Sequence, residues 1–441
     1  MSVVPERPDL SGWTDPLVQR IENAELQVLN GKKPVEGLAD LSRLYHANGF
    51  YSEAALCYQG LISLDGKNGK WPHRLAEILS SYGKLEEALP FRLKVVELDP
   101  KYVPGLIRLG ELYLKLNRFD EADALFQRAL QESDDEPHAF LGIARAQLGL
   151  GNLVVAQEKL EEATRQSNGR IGTDLLASVY DERGLTQNAL EIRRIKIPGS
   201  YSDIYDPWMF ELNADCFDTY QLAVAAGMAD HRGDNAAGIR ILTRAIHLSP
   251  RDGSLHFQMG QLQLKKGDQA KAIESFKTTT ELQPDFSDGW FQLAQLYERA
   301  GDQDSQARAI AEGLFHNPDS PGLHISNAKR LKESGDIQAS MGELETAIKL
   351  RPEEADPYVQ LAALHIAQGE NEQGLDLMRK ALTLESLHPV ALSTLIFHAI
   401  SVGNEQEAKD YLTQARLQPR IAPDQLRNLE ARFRQRFGAN P

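Results

Sequence analysis

Apolar residues recur along this chain at i, i+3, i+4 and i+7, the spacing that puts them on one face of an α-helix. In LIRLGELYLKLNRFDEADALFQRAL (106 to 130), Leu106, Leu109, Gly110 and Tyr113 share one face, while Ala122, Phe126 and Ala129 share another. The pattern predicts two helices per unit, with small residues such as Gly110, Ala122 and Ala129 where the helices approach most closely. Between the two helices stands a recurring stop: Gly49, Gly83, Gly151, Gly184, Gly233, Gly267, Gly301, Gly335, Gly369 and Gly403. The step is 34 residues; Asn117 fills one empty slot and Gly184 comes one residue early. Gly and Asn enter the left-handed backbone region cheaply, so each ends the first helix of its unit. Pro100, Pro250, Pro284, Pro318 and Pro352 then stop the second helix.

Eleven units lie on this grid, which is broken once by 15 extra residues. The organisation read from it is an N-terminal extension and capping helix (1–34), a first array of five repeats (35–196), an insertion (197–218), a second array of six repeats (219–420) and a C-terminal capping helix (421–441). Units of this kind cannot bury their apolar faces alone, so the stack must be continuous and capped. TDPLVQRIENAELQVLNG (14 to 31) supplies the front cap, with Asp15 and Pro16 opening a helix that carries Leu17, Ile21, Ala24 and Val28 on one face. PDQLRNLEARFRQRFG (423 to 438) supplies the rear one, with Leu426, Leu429, Phe433 and Phe437 inward and an arginine-rich face outward.

The residues W-x2-L-G-x2-Y, then G, then A-x3-F and a closing P resemble the tetratricopeptide repeat, which WFQLAQLYERAGDQDSQARAIAEGLFHNP (290 to 318) matches at Trp290, Leu293, Ala294, Tyr297, Gly301 and Pro318, with Ala307 one past its usual slot. The resemblance covers residues 35 to 420. It implies an all-α fold, a right-handed α-solenoid (superhelix) of stacked antiparallel helix pairs, and a non-enzymatic scaffold or adaptor that holds a partner protein or extended peptide in a concave groove. It implies no cofactor. Two other readings are a regulatory or substrate-recruiting subunit of an enzyme on a separate chain, and a single-stranded RNA reader, which would need basic residues and a base-reading pair in every unit.

Charge narrows the partner. The formal net charge of −15 over 441 residues opposes nucleic acid, whose phosphates require a basic stripe, and leaves a basic protein as the better-matched partner. No apolar run is long enough to span a membrane, and the opening MSVVPERPDLSGW is not patterned as a signal peptide, so a cytoplasmic location is expected. Only Cys57 and Cys216 are present, neither in a metal-ligand spacing. No P-loop, HExxH or GxSxG motif occurs, so no catalytic or metal-binding residue is expected. The pattern leaves oligomeric state open.

Two stretches are candidates for binding, one inside the regular repeat and one outside it. The groove-lining positions of the seventh and eighth units coincide at the 34-residue step: Phe257, Gln258 and Gln261 in one, Phe291, Gln292 and Gln295 in the next. Amide ladders can satisfy the backbone of an extended peptide over an apolar floor. The other stretch, IYDPWMFELNADCF, lies in the insertion. Between Lys196 and Arg232 there is no Lys or Arg, while Asp203, Asp206, Glu211, Asp215, Asp218 and Asp230 accumulate. Asp206 and Pro207 should open a short helix, and Asp218 should cap the next repeat. Its aromatics, Tyr205 and Trp208 foremost, must be buried somewhere. The sixth unit beside it has a hollow inner face (Tyr220, Ala223, Gly227, Asp230). That hollow is a candidate; the expectation is that Trp208 is mostly buried against the first helix of the sixth or an adjacent repeat, and that the insertion either plugs the groove or walls a ligand site. Arg43, Arg108 and Arg145 also point inward, without the Asn partners of a carboxylate clamp.

Overall fold

The computed structural model describes residues 4–31, 33–194, 203–417 and 421–438. The first six residues of the insertion (197–202) lie outside them. Every regular element among the described residues is helical. The helix α1 (Asp15–Leu29) precedes five antiparallel pairs: α2 (Pro34–Ala47) with α3 (Tyr51–Leu64), α4 (Lys70–Ser81) with α5 (Leu85–Leu98), α6 (Val103–Lys115) with α7 (Phe119–Glu132), α8 (Pro137–Gly149) with α9 (Leu153–Gln166), and α10 (Thr173–Glu182) with α11 (Thr186–Arg194). The inserted segment adds α12 (Pro207–Phe210) and a 3-10 turn (Glu211–Asp215). Six further pairs follow: α13 (Thr219–His231) with α14 (Asn235–Leu248), α15 (Gly253–Lys265) with α16 (Gln269–Leu282), α17 (Ser287–Ala300) with α18 (Gln303–His316), α19 (Pro321–Glu333) with α20 (Ile337–Leu350), α21 (Ala355–Ala367) with α22 (Asn371–Leu384), and α23 (Pro389–Val402) with α24 (Glu405–Arg416). The last helix is α25 (Pro423–Phe437). This is an all-α solenoid of eleven helix pairs. It divides into two compact bodies, residues 1–250 and 251–441. Among the described residues no helix is long and apolar enough to cross a membrane.

The local signals read from the sequence act where expected. All eleven grid residues have positive φ, Asn117 at 57° among them, and each ends a first helix. In the second body, Pro284, Pro318 and Pro352 follow directly on the ends of α16, α18 and α20. One detail differs at the front: the cap of α1 is Thr14, with Asp15 already the first helical residue. The capping faces are real, since Leu17, Ile21 and Phe433 are fully buried.

Close packing within a repeat depends on a ring wedged against a glycine. Phe126 of α7 is fully buried, and a Cβ at Gly110 would stand 2.7 Å from its Cζ, with Gly142 of the next repeat closer still. The second body repeats the device, where a Cβ at Gly260 would stand 2.7 Å from Phe276 Cε1. Only hydrogen fits in those gaps.

Candidate functional site

The inserted segment from Asp203 to Phe217 leaves the repeat register and lies as a strap over the first helices of repeats one to three, α2, α4 and α6. Each of its acids meets a basic or hydroxyl group there. Asp203 accepts from Arg108 Nη2 at 2.5 Å, and Glu211 pairs with Lys70 at 2.6 Å and Arg74 at 2.9 Å. Asp215 pairs with Arg20 of α1 at 2.5 Å and with Arg43 at 2.8 Å.

Asp206 is the buried centre. His73 Nε2 donates to its Oδ2 at 2.6 Å, and the Tyr102 hydroxyl donates to Oδ1 at 2.5 Å. As the N-cap of α12, the same Oδ1 also accepts from the Trp208 and Met209 amides at 3.0 and 3.1 Å. Burial alone would raise this carboxyl's pKa. The hydrogen bond and charge of His73, then Tyr102 and the Met209 amide, outweigh it and hold the group below the usual carboxylate range. The Tyr102 hydroxyl moves the other way, pushed up by burial and by the Asp206 charge.

Protein groups also read the strap's backbone. Arg74, itself 1% exposed, donates to the Trp208 carbonyl from Nε at 3.2 Å and from Nη2 at 2.5 Å. Asn48 clamps both edges: its Nδ2 donates to the Asp215 carbonyl at 2.9 Å and its Oδ1 accepts from the Phe217 amide at 2.6 Å. Arg244 of α14 donates from two nitrogens to the Cys216 carbonyl, at 3.0 and 2.8 Å. Ile204, Leu212 and Cys216 are buried.

Beneath the strap, Glu77 bonds Arg92 at 2.8 Å and lies 3.4 Å from Arg108 Nε. Burial would raise its pKa, but the Arg92 and Arg108 charges bring it down to about 2. His73, Glu77 and Asp206 come close enough together to ligate one cation. Their carboxylates are already paired with Arg92, Arg108 and His73 and hydrogen-bonded by Tyr102, and a divalent ion there would face those guanidiniums. The grouping is an ion-pair network.

Trp208 does not pack on the sixth repeat. Its ring stacks on Tyr102 at 3.7 Å and meets His73 edge-on at 5.5 Å, which places it on repeats two and three. The charges decide this: the hollow of the sixth repeat offers an aspartate and small side chains, whereas α4 and α6 present Lys70, His73, Arg74 and Arg108 to an acidic strap. A Cβ at Gly227 would touch nothing, so the hollow stays open. Tyr205 is 47% exposed, meets Phe210 at 5.6 Å, and has Arg232 over its ring at 5.2 Å. It lines a cavity of 480 Å³ with Pro104, His138 and Arg170, and a smaller one of 250 Å³ with Met209, Phe210 and Met228. The short helix at Pro207 and the Asp218 cap of α13 are both as expected. Of the three inward arginines, Arg43 and Arg108 hold the strap, and Arg145 remains exposed.

The remaining candidates lie in the second body. Gln258, Gln292 and Gln295 are half-buried and Gln261 is exposed, and none of the four amides has a hydrogen-bond partner among the described residues. Phe257 belongs partly to the core, 5.4 Å from Phe276 and 4.9 Å from Phe286. Phe291 lies against the start of α19, where a Cβ at Gly322 would stand 3.3 Å from its ring. The two aromatics are a floor set into the seams between helices.

Sequence reasoning missed Arg20, Lys70, His73, Arg74, Asn48 and Arg244 as the strap's receivers. A signal was present: bases recur at the inward positions of repeats one to three, opposite in sign to the inserted stretch, which combines six acids with no Lys or Arg.

The model of the tetratricopeptide repeat family matches residues 107–171 and 257–321. The TPR repeat-containing thioredoxin TTL4 of Arabidopsis thaliana is 33% identical over 87 residues, 20% of this chain and 13% of that protein. DnaJ homolog subfamily C member 7 of Homo sapiens is 30% identical over 131 residues, 30% of this chain and 26% of that protein. The chain therefore spans about a quarter or less of the length of these relatives. Among solved structures, yeast Tom70 superposes with a TM-score of 0.42 at 17% identity, covering 91% of this chain and 96% of its own. With two matched segments lying in phase on a 34-residue grid of helix pairs, the chain carries tetratricopeptide repeats over residues 107–171 and 257–321.

Proposed function

We propose that the protein is a non-enzymatic adaptor that holds an extended segment of a partner protein along the first-helix face of the seventh and eighth repeats. The observation that carries this is the set of amides Gln258, Gln261, Gln292 and Gln295: in register at the repeat step, beside Phe257 and Phe291, and without a hydrogen-bond partner among the described residues. An amide presents both a donor and an acceptor, so such a ladder can pair with peptide N–H and C=O groups whatever the side chains are. The inner face of the first three repeats is already taken by the strap, whereas these four amides keep open polar valences among the described residues. A basic segment would suit the chain's net charge of −15.

The test is quantitative capture by the tagged full chain, compared with a Gln258→Ala/Gln292→Ala double variant. The partner's affinity should fall by about 1–3 kcal/mol, the cost of leaving its buried peptide groups unpaired, with the thermal melt unmoved. Undiminished capture by the double variant, or cross-links placing the partner on the second helices, would refute the site.

A further inference from the structure

The strap meets the inner face of repeats one to three in the manner of a bound peptide. It comes from outside the repeat register and lies across first-helix positions. Two kinds of group hold it. Arg74, Asn48 and Arg244 take its backbone carbonyls and one amide, as a groove does when it binds an extended chain irrespective of sequence. Basic side chains take its acids at four points spaced along 203–215, one each at Asp203 and Asp206 and two each at Glu211 and Asp215, and the Tyr102 ring takes one aromatic. The apolar seams between α2 and α3 and between α6 and α7 are built from other residues, such as Leu41, Tyr58, Leu109 and Phe126.

We propose that the inner face of repeats one to three is a binding site for an acidic, aromatic extended segment of a partner protein, and that the strap is its resident occupant in cis. The partner's chemistry follows from the receivers: two or more carboxylates for Arg43, His73 and Arg108, and one flat ring for Tyr102. Exchange has a place to begin. The side chains of Glu211 and Asp203 are 46% and 35% exposed, and Tyr205 is 47% exposed, so the rim of the strap is solvated while Asp206 and Asp215 are buried beneath it. A tethered occupant acts at an effective concentration on the order of millimolar. A free segment therefore binds the intact chain with an affinity reduced by the fraction of time the strap is away. This site is separate from the amide face of the second body, and its test uses no unidentified partner.

The probe is a fluorescent peptide of residues 203–217, DIYDPWMFELNADCF, kept under reducing conditions and read by anisotropy. It is titrated with the full wild-type chain and with the full-length variant Asp206→Asn/Asp215→Asn, which keeps the strap's apolar residues. The expected result is saturable binding to the variant at least about tenfold tighter than to the wild type. Adding Arg43→Ala to the variant, or substituting the same two acids in the peptide, should abolish it. Equal binding to both chains, or none to a variant with an unchanged helical spectrum and melt, would overturn the proposal. So would a variant that no longer melts cooperatively, because the strap would then be an inseparable part of the fold. Displacement of the probe by unlabelled wild-type chain would assign the site to the strap of a second copy instead of a partner.

Discussion

Replacing Asp206 by Asn should loosen the strap without loosening the repeats beneath it. The change keeps the size of the side chain, and Asn is as good an N-cap as Asp, so the bonds from the Trp208 and Met209 amides can survive. What fails is the other side. His73 Nε2 and the Tyr102 hydroxyl both donate to the carboxylate at 2.6 and 2.5 Å, and an amide offers one acceptor and one donor. One of the two bonds loses its charge assistance, worth about 1.5–3 kcal/mol, and the other becomes donor against donor, stranding a buried polar group at about 1–3 kcal/mol. The sum, about 2.5–6 kcal/mol, brackets the roughly 3–5 kcal/mol that breaking a buried ion pair costs. Hydrogen–deuterium exchange with mass spectrometry reads it directly. Amides in 203–217 should exchange roughly two orders of magnitude faster, the equivalent of about 3 kcal/mol, while peptides from α6 and α7 stay within about threefold of wild type. The control is Asp218→Asn, which preserves an exposed cap and should leave 203–217 unchanged. Protection of 203–217 within about threefold of wild type in Asp206→Asn, or an equal loss across α6 and α7, would refute the reasoning.

Acidification gives the same answer by another route. Asp206 and Glu77 have folded pKa values below their unfolded ones, Glu77 at about 2, so their contribution is present above about pH 4 and drains away as pH falls below it; strap protection should fall over that window before the helical signal does. Gly110→Ala and Gly260→Ala push a methyl to 2.7 Å from the Phe126 and Phe276 rings, and each should lower the midpoint of urea unfolding by about 1–3 kcal/mol equivalent. Gly227→Ala meets open space in mid-helix and should raise it by roughly 0.5–1 kcal/mol. Burial pushes the Cys57 thiol to about 12 and the Cys216 thiol to about 11, so neither should react with an alkylating reagent at pH 8 until urea unfolds the chain.

The repeat was legible because its signals are local. Gly49 to Gly403 stop helices through their own backbone, and Leu106, Leu109 and Tyr113 announce their face within three turns. Asp206 and Asp218 could be read as caps for the same reason. The destination of the strap was not legible from periodicity, because its side-chain contacts to α1 and the first three repeats span from 95 residues (Arg108 to Asp203) to 195 residues (Arg20 to Asp215). Nothing in the pattern near Trp208 points to Tyr102. Sequence adjacency suggested the hollow of α13, but an acidic strap leaves a face offering Asp230 for one offering His73, Arg74 and Arg108. Arg43 and Arg108 were recognised as inward-facing; their carboxylates turned out to belong to the same chain. The amides of α15 and α17 could be placed on one face by the 34-residue step, but only the structure shows that they have no partner among the described residues.

The placement of the strap on repeat two can be tested by one coupling reaction. Lys70 Nζ lies 2.6 Å from Glu211 Oε1 across 141 residues of sequence. A carbodiimide joins an amine to a carboxylate only where the two touch, so brief treatment of the dilute chain, followed by digestion and mass spectrometry, should yield a Lys70–Glu211 isopeptide in the monomeric fraction. It should vanish in Glu211→Gln. Coupling of Glu211 to a lysine outside the first three repeats, or its failure to couple to Lys70 while other close pairs such as Lys33–Glu36 react, would contradict the docked strap and the account built on it.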